Sequence, residues 1–301
     1  MPSAVLYVAV VLVWGTLYIA VAQQVAAIEP EVAVVYRFAA AGIVLLGWCW
    51  WRGRPLRYTQ RQHAFLAIQG VSMFSTTDLF MYNAIQHMTG GLMSLVFTLI
   101  TILNVLFAAV LLGMPVRPRV VAGGLLGLLG MAIVFWPALA EFKIGSGALI
   151  GLGFALLATI SASLAQIVSA RNQRAGLPVL ETTGYCMLYG ALFSAVVALA
   201  LGRPFGWSWS APFLISFAHV VIPCSIFAWV ALLVLLGRMG PDRVAYLNVL
   251  IPIVALTVSA AFEGLAISGM MALGIVIALL GNVLVLTTFQ RTRAAPELIK
   301  G

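Results

Sequence analysis

The chain has 301 residues, 63% of them hydrophobic and 8% charged, with a mean hydropathy of +1.11. Soluble domains carry about 25% charged residues, so this composition requires lipid as solvent and excludes disorder, fibrous repeats and a secreted disulfide scaffold. The formal net charge of +8 does not mark nucleic-acid binding, because the 16 Lys and Arg residues fall almost wholly between apolar runs, where membrane topology accounts for them.

A helix crosses the hydrocarbon core with about 20 apolar residues. Such runs predict ten spans, at roughly 3–24, 31–52, 63–86, 90–112, 118–137, 146–170, 179–201, 211–236, 242–263 and 267–289. The runs do not alternate polar and apolar as barrel strands do. The first lacks a charged n-region and a cleavage motif and is expected to be retained as a span rather than removed as a signal peptide. Arg52, Arg54, Arg57 and Arg61 follow span two, Arg117 and Arg119 span four, Arg171 and Arg174 span six, Arg238 and Arg243 span eight, and Arg291, Arg293 and Lys300 span ten. These are 13 of the 16 basic residues; Lys143 and Arg203 lie on the other side and Arg37 lies within span two. The positive-inside rule therefore places both termini in the cytoplasm, with Glu29, Glu31 and Glu141 outward. The three cysteines, Cys49, Cys186 and Cys224, form no spaced pair, so neither a metal site nor a disulfide framework is indicated.

Candidate pathway residues follow in chain order. Span one offers Trp14, Thr16, Tyr18 and Gln23. Arg37 and, in span three, Asp78 are the charges clearly inside spans, and intramembrane charges mark pathways by default. With span two running inward and span three outward, their depths match, so they are expected either to form a structural ion pair or to serve substrate, Asp78 then as an amine or proton site. Tyr82 lies one helical turn beyond Asp78 on the same face, with Asn83 and His87 nearer the outer mouth. Ser94, Phe97, Thr98, Thr101 and Asn104 form one stripe of span four; singly they read equally as helix-bonding hydroxyls, together as the wall of a wet cavity. Span six repeats the pattern with Thr159, Ser163 and Gln166.

In span eight, Pro223 removes the donor that would bond the carbonyl of His219, and in span nine Pro252 does the same to Asn248. These breaks are either packing kinks or, as in inverted-repeat transporters, part of a substrate site. His219 either titrates or holds two helices together. Trp229 and Tyr246 are expected to add an apolar wall, while Trp48, Trp50, Trp51, Trp207 and Trp209, at run ends, read as interfacial belt residues. Gly123, Gly127 and Gly130, and Gly147 with Gly151, allow close helix packing. No phosphate-binding loop, zinc-protease motif or nucleophile elbow is present, so neither an enzyme nor a cofactor is expected.

The chain also repeats itself. An ungapped offset of 151 lays residues 88–133 over 239–284, placing Met88 on Met239, Gly113 on Gly264, Gly123 on Gly274 and Gly130 on Gly281. A weaker match joins spans one and six, Thr16 with Thr159 and Ala22-Gln23 with Ala165-Gln166. Five spans per copy, an odd number, would insert the copies with opposite orientation, an arrangement suited to opening towards either face. The expected units are 1–143, 144–290 and a cytoplasmic tail, 291–301.

Trp14-Gly15-Thr16, Tyr36-Arg37-Phe38, the stretch from Pro252 to Gly264, and Gly274 with Gly281, combined with this five-plus-five duplication, resemble the drug/metabolite transporter superfamily and within it the ten-helix EamA-type exporters. The family often places Pro mid-span in spans four and nine; here Pro252 has Thr101 as its counterpart, and Glu263 precedes Gly264 where an acidic residue often follows the glycine. The resemblance implies export of small metabolites, with amino acids a leading class. The resulting expectation is an all-α integral inner-membrane (plasma-membrane) protein of two inverted five-helix repeats, its lipid-surrounded cavity serving a small-molecule substrate by alternating access, with a single chain sufficient. The predicted lining is Trp14, Tyr18, Asp78, Tyr82, Phe97, Thr98, Thr101, Gln166, His219, Trp229 and Asn248. A cavity with one carboxylate and one intramembrane cation suits zwitterionic or cationic amphipathic solutes and disfavours polyanions. Cationic-drug export is the first alternative, a membrane enzyme or sensor the second.

Overall fold

The computed structural model describes residues 2–112, 118–136, 147–239, 244 and 246–294. The described residues are helical apart from short connections. They form α1 (Ser3–Val25), α2 (Pro30–Trp51), α3 (Gln60–Ile85), α4 (Gly90–Phe97 continued by Ile100–Leu112), α5 (Pro118–Val134), α6 (Gly147–Arg174), α7 (Val179–Ala200), α8 (Ala211–His219, Val220–Phe227 and Ala228–Met239), α9 (Leu247–Phe262) and α10 (Gly269–Ala294). Seven segments are long and apolar enough to cross a membrane, those of α1 to α4 and α6 to α8. α5, α9 and the described apolar part of α10 are shorter. Gly113, Met114, Arg117, Glu141, Lys143, Arg243 and Lys300, and the expected unit boundary at 143–144, lie outside the described residues.

Local sequence explains where these helices begin and bend. Pro30 opens α2 at a position where its missing N–H costs nothing. Thr59 caps α3 reciprocally with Gln62: the Gln62 amide donates to the Thr59 hydroxyl (3.3 Å) and the Thr59 amide to the Gln62 side chain (2.8 Å). α1 bends at Thr16, whose hydroxyl bonds back to the Leu12 carbonyl (2.8 Å). α4 tightens at Thr98 and Leu99, whose amides reach back only three residues. α3 and α8 each carry a π-helical stretch, Ser72–Thr76 and Val220–Phe227. In α3 the hydroxyls of Thr76 and Thr77 bond carbonyls five residues back.

The helix contacts have a two-fold order. α5 packs on α10, α2 on α7 and α4 on α9. The remaining large interfaces come in couples that exchange when each helix is replaced by the one five places along: α3 on α6 with α1 on α8, α4 on α6 with α1 on α9, and α3 on α7 with α2 on α8. Glycines give the direction of the first pairing. A Cβ on Gly130 would lie 2.6 Å from the Gly274 carbonyl, and one on Gly281 would lie 2.6 Å from the Gly127 amide and 2.5 Å from the Gly123 carbonyl. The earlier glycine of one helix thus faces the later glycine of the other, so α5 and α10 run antiparallel with their equivalent glycines across a local two-fold.

One couple is unequal. The C-terminal half of α1, Leu17–Val25, packs on α3 and α4, whereas among the described residues α6 meets neither α8 nor α9 to a comparable extent.

The glycine crossing generates a prediction. Gly130→Ala forces α5 and α10 apart and lowers the melting temperature in detergent. Gly153→Ala, where a Cβ meets nothing within 4 Å, leaves it unchanged or raises it, since alanine is worth about 0.5–1 kcal/mol over glycine in a helix. Equal effects at both positions, read by scanning fluorimetry, would refute the close crossing.

Candidate functional site: a central cavity with one ion pair

A cavity of about 500 Å³ lies between α1, α2, α3, α4, α6, α7, α8 and α9. Of the predicted lining, Trp14, Tyr18, Asp78, Phe97, Thr98, Gln166, Trp229, Asn248 and the break residue Pro252 border it. Trp14 and Phe74 each meet the Trp229 ring edge-on, at 6.0 Å and 5.9 Å between centroids, and Phe74 continues to Phe38 at 5.1 Å. Tyr18, Ser94 and Thr98 add hydroxyls to the deep end; Thr98 donates to the Leu95 carbonyl (2.8 Å). On α6 the lining continues as Ala162, Gln166, Ser169 and Gln173 to the helix end.

The depth of the cavity holds Arg37 and Asp78, joined by Nη1–Oδ1 at 2.9 Å and almost fully buried. Arg37 Nε donates to Ser225 Oγ (3.0 Å), and that hydroxyl donates to the Val220 carbonyl (2.7 Å) inside the π-helical stretch of α8. The guanidinium also lies 4.6 Å from the Phe38 ring centroid. One cation thereby ties α2 to α3 and α8.

Tyr82, Thr101, His219 and Pro223 lie outside the lining. Tyr82 is completely buried behind the ion pair, taking a 3.5 Å hydrogen bond from Arg37 Nη1 and giving one of 3.2 Å to Gln24 Oε1. Its turn of α3 lies against the C-terminal half of α1, which converts the expected cavity phenol into a strut. Thr101 is buried beyond the tightened turn of α4. His219 Nε2 bonds the Thr16 hydroxyl (3.0 Å), holding α1 to α8. Beside Pro223 two carbonyls bond side chains inside the protein, Cys224 accepting the Trp14 indole N–H (3.1 Å) and Val220 the Ser225 hydroxyl. The Asn248 carbonyl released by Pro252 takes Asn282 Nδ2 of α10 (3.4 Å), while the Asn248 side chain faces the cavity. Tyr246 borders a separate apolar recess with Tyr7.

Other sequence expectations resolve in detail. Asn104 joins α4 to α6, donating to Gln166 Oε1 (2.8 Å) and accepting from Ser163 Oγ (2.6 Å). Thr159 bonds back to Ala155 (2.7 Å) as Thr16 does to Leu12. Gln23 is exposed and its neighbour Gln24 is the buried amide. Trp50, Trp51 and Trp209 are exposed at helix ends. Sequence reasoning missed Ser225, Gln69 and Glu181. Ser225, two residues after Pro223, sits where a broken ladder leaves a hydroxyl work to do. Glu181 is buried at the start of α7 and paired with Arg54 (2.8 Å). Beside it, burial and the Glu181 carboxylate push the Tyr58 phenol up to about 12.

The two ends of the cavity differ. Gln166, Gln173 and Asn248 are exposed, so the mouth lies at the end of α6 that carries Arg171. The opposite end is sealed. Glu263, closing α9, accepts the Gly90 amide (3.0 Å), and Ser259 accepts the Gly91 amide (2.6 Å) while donating to Glu263. These bonds fill acceptor positions for the orphan amides that begin α4 and set a carboxylate against its dipole. Arg203 adds contacts to Glu29 (3.0 Å) and Glu31 (3.4 Å).

The buried pair sets a stability expectation. Asp78→Ala strands the guanidinium and costs about 3–5 kcal/mol, whereas replacing both partners with apolar residues is near neutral. Denaturation of Arg37→Leu, Asp78→Leu and the double Arg37→Leu/Asp78→Leu forms a cycle. Additive losses would show that the pair does not act as a unit.

Comparison with known proteins agrees with this architecture. The EamA-like transporter family model matches residues 1–136 and again 149–287. Protein PecM of Dickeya dadantii (strain 3937) is 26% identical over 273 residues, covering 88% of this chain and 85% of its own. A solved crystal structure superposes with a TM-score of 0.67 at 23% identity, covering 97% of this chain and 98% of its own; at that identity the likeness concerns the fold alone. With a family model spanning almost all of a helical membrane protein built around a central cavity, the chain belongs to the EamA-like transporter family of the drug/metabolite transporter superfamily.

Proposed function

We propose that this transporter exports small zwitterionic metabolites, amino acids first among them, from the cytoplasm across the inner (plasma) membrane. Ten spans, with both termini cytoplasmic, form two inverted repeats, 1–143 and 144–290, that alternate access to the central cavity. One chain encloses the cavity, so a monomer suffices. The observation that carries this reading is the cavity itself: about 500 Å³, aromatic on one wall, hydroxyl- and amide-bearing on the other, open at the end marked by basic residues and sealed at the other. That volume lies within the range of small-molecule sites. The unequal couple of interfaces supports alternating access. Exchanging the roles of α1 and α6 would bring α6 onto α8 and α9 and release α1 from α3 and α4, opening the opposite end with the same set of contacts.

The test is counterflow in proteoliposomes of purified protein, using labelled amino acids of aromatic, aliphatic and small polar classes. Saturable uptake above empty liposomes is expected. Ala162→Trp, which fills the cavity from α6, is expected to reduce it at least ten-fold while the protein stays monodisperse. Absence of flux for every amino acid, in folded protein, would reject amino acids as substrates.

A further inference from the structure

Among the lining residues Arg37 and Asp78 are the charged ones, so the cavity's formal charge is zero. The two are held by a single Nη1–Oδ1 contact rather than a two-point fork. Ser225 occupies Nε and Tyr82 shares Nη1. Among the described residues, no hydrogen bond is made by Nη2 or accepted by Oδ2. A guanidinium edge and a carboxylate oxygen are therefore unspent at the deep end of the cavity, next to the hydroxyls of Tyr18, Ser94 and Thr98 and below the Trp14–Trp229 wall.

We propose that Arg37 and Asp78 are the head-group site for a zwitterion: the substrate carboxylate engages the Arg37 guanidinium and the substrate ammonium engages Asp78, so that one molecule satisfies both members of the ion pair. This rests on the amino-acid reading above and narrows it. A solute bearing only an ammonium adds one uncompensated positive charge to a buried site, and one bearing only a carboxylate adds a negative charge. Each leaves a desolvated charge without a partner, the costly outcome for ions away from water. A zwitterion alone keeps the sum at zero while supplying a partner to each group. The pair then acts as the specificity determinant and not only as a brace between α2 and α3. The aromatic wall receives whatever side chain the zwitterion carries.

The experiment uses the full-length protein in proteoliposomes and labelled phenylalanine counterflow at about pH 6, where the amine is protonated and the carboxyl ionised. Competitors are unlabelled phenylalanine, its amide, which keeps only the ammonium, and 3-phenylpropionate, which keeps only the carboxylate. Both single-charge analogues are expected to compete at least ten-fold more weakly than phenylalanine, since sites that pair buried polar groups reject analogues lacking them by large factors. Arg37→Gln is expected to shift preference towards the amide, and Asp78→Asn towards phenylpropionate. A purely structural pair would lower activity in both variants without inverting charge preference. If either variant fails to fold, the wild-type competition decides. Saturable phenylalanine flux with equal competition by both analogues overturns the head-group site and leaves the amino-acid reading standing. No saturable flux of any amino acid overturns both.

Discussion

A guanidinium placed inside a bundle surrounded by lipid must find its compensation within the protein, and the centre of this molecule is organised by that demand. Arg37 reaches a carboxylate on α3, a hydroxyl on α8 and an aromatic face on its own helix. The partners are themselves committed. Ser225 passes the contact to the Val220 carbonyl, and Tyr82 passes it to Gln24 on α1. Four helices thus share one charge, and moving any of them relative to the others changes how well that charge is paired. Low dielectric makes such a network cohesive when complete and costly when broken.

The helix irregularities serve the same network. Backbone groups freed within the hydrocarbon region must be satisfied by protein; the Asn248 carbonyl released by Pro252 takes Asn282, and beside Pro223 the Cys224 carbonyl takes the Trp14 indole. α1 bends where Thr16 meets His219 at the entrance to the π-helical stretch of α8. The wide turn of α3, Ser72–Thr76, falls within the corresponding stretch of the other half when the repeat offset is extended to it. Breaks that sequence inspection assigns equally to kinks or to substrate act as joints between helices, and one of them, Pro252, also borders the cavity.

Much of this was legible in the sequence, for identifiable reasons. Helix positions followed from apolar run length, since hydrocarbon thickness leaves little freedom. The shared depth of Arg37 and Asp78 followed from counting residues along antiparallel spans. The glycine spacing of α5 and α10 announced a close crossing because only glycine lets backbones approach to contact. What stayed hidden depended on rotation about helix axes. Tyr82 shares a face with Asp78 yet lies behind it, and Gln24 is buried where Gln23 faces outwards. A single residue of rotation, such as the bend at Thr16 introduces before Gln23 and Gln24, decides such cases, and periodicity averages it away. Glu181 was hidden differently: at a helix end its charge reads as exposed until Arg54 is seen to cover it.

The sealed end gives the proposed cycle an energetic form. Beside the packing of Leu17–Val25 on α3 and α4, it is held by polar contacts: two α4 amides on Ser259 and Glu263, and one arginine between Glu29 and Glu31. In the proposed opening, each polar group that reaches water exchanges a protein hydrogen bond for a solvent one at a small net cost, on the order of 1 kcal/mol apiece. The ion pair deeper in the bundle has no such replacement, because its two members compensate each other away from water. In the proposed cycle, the sealed end opens by giving up contacts at the rim, and the central pair is rearranged by the zwitterion proposed to bind it.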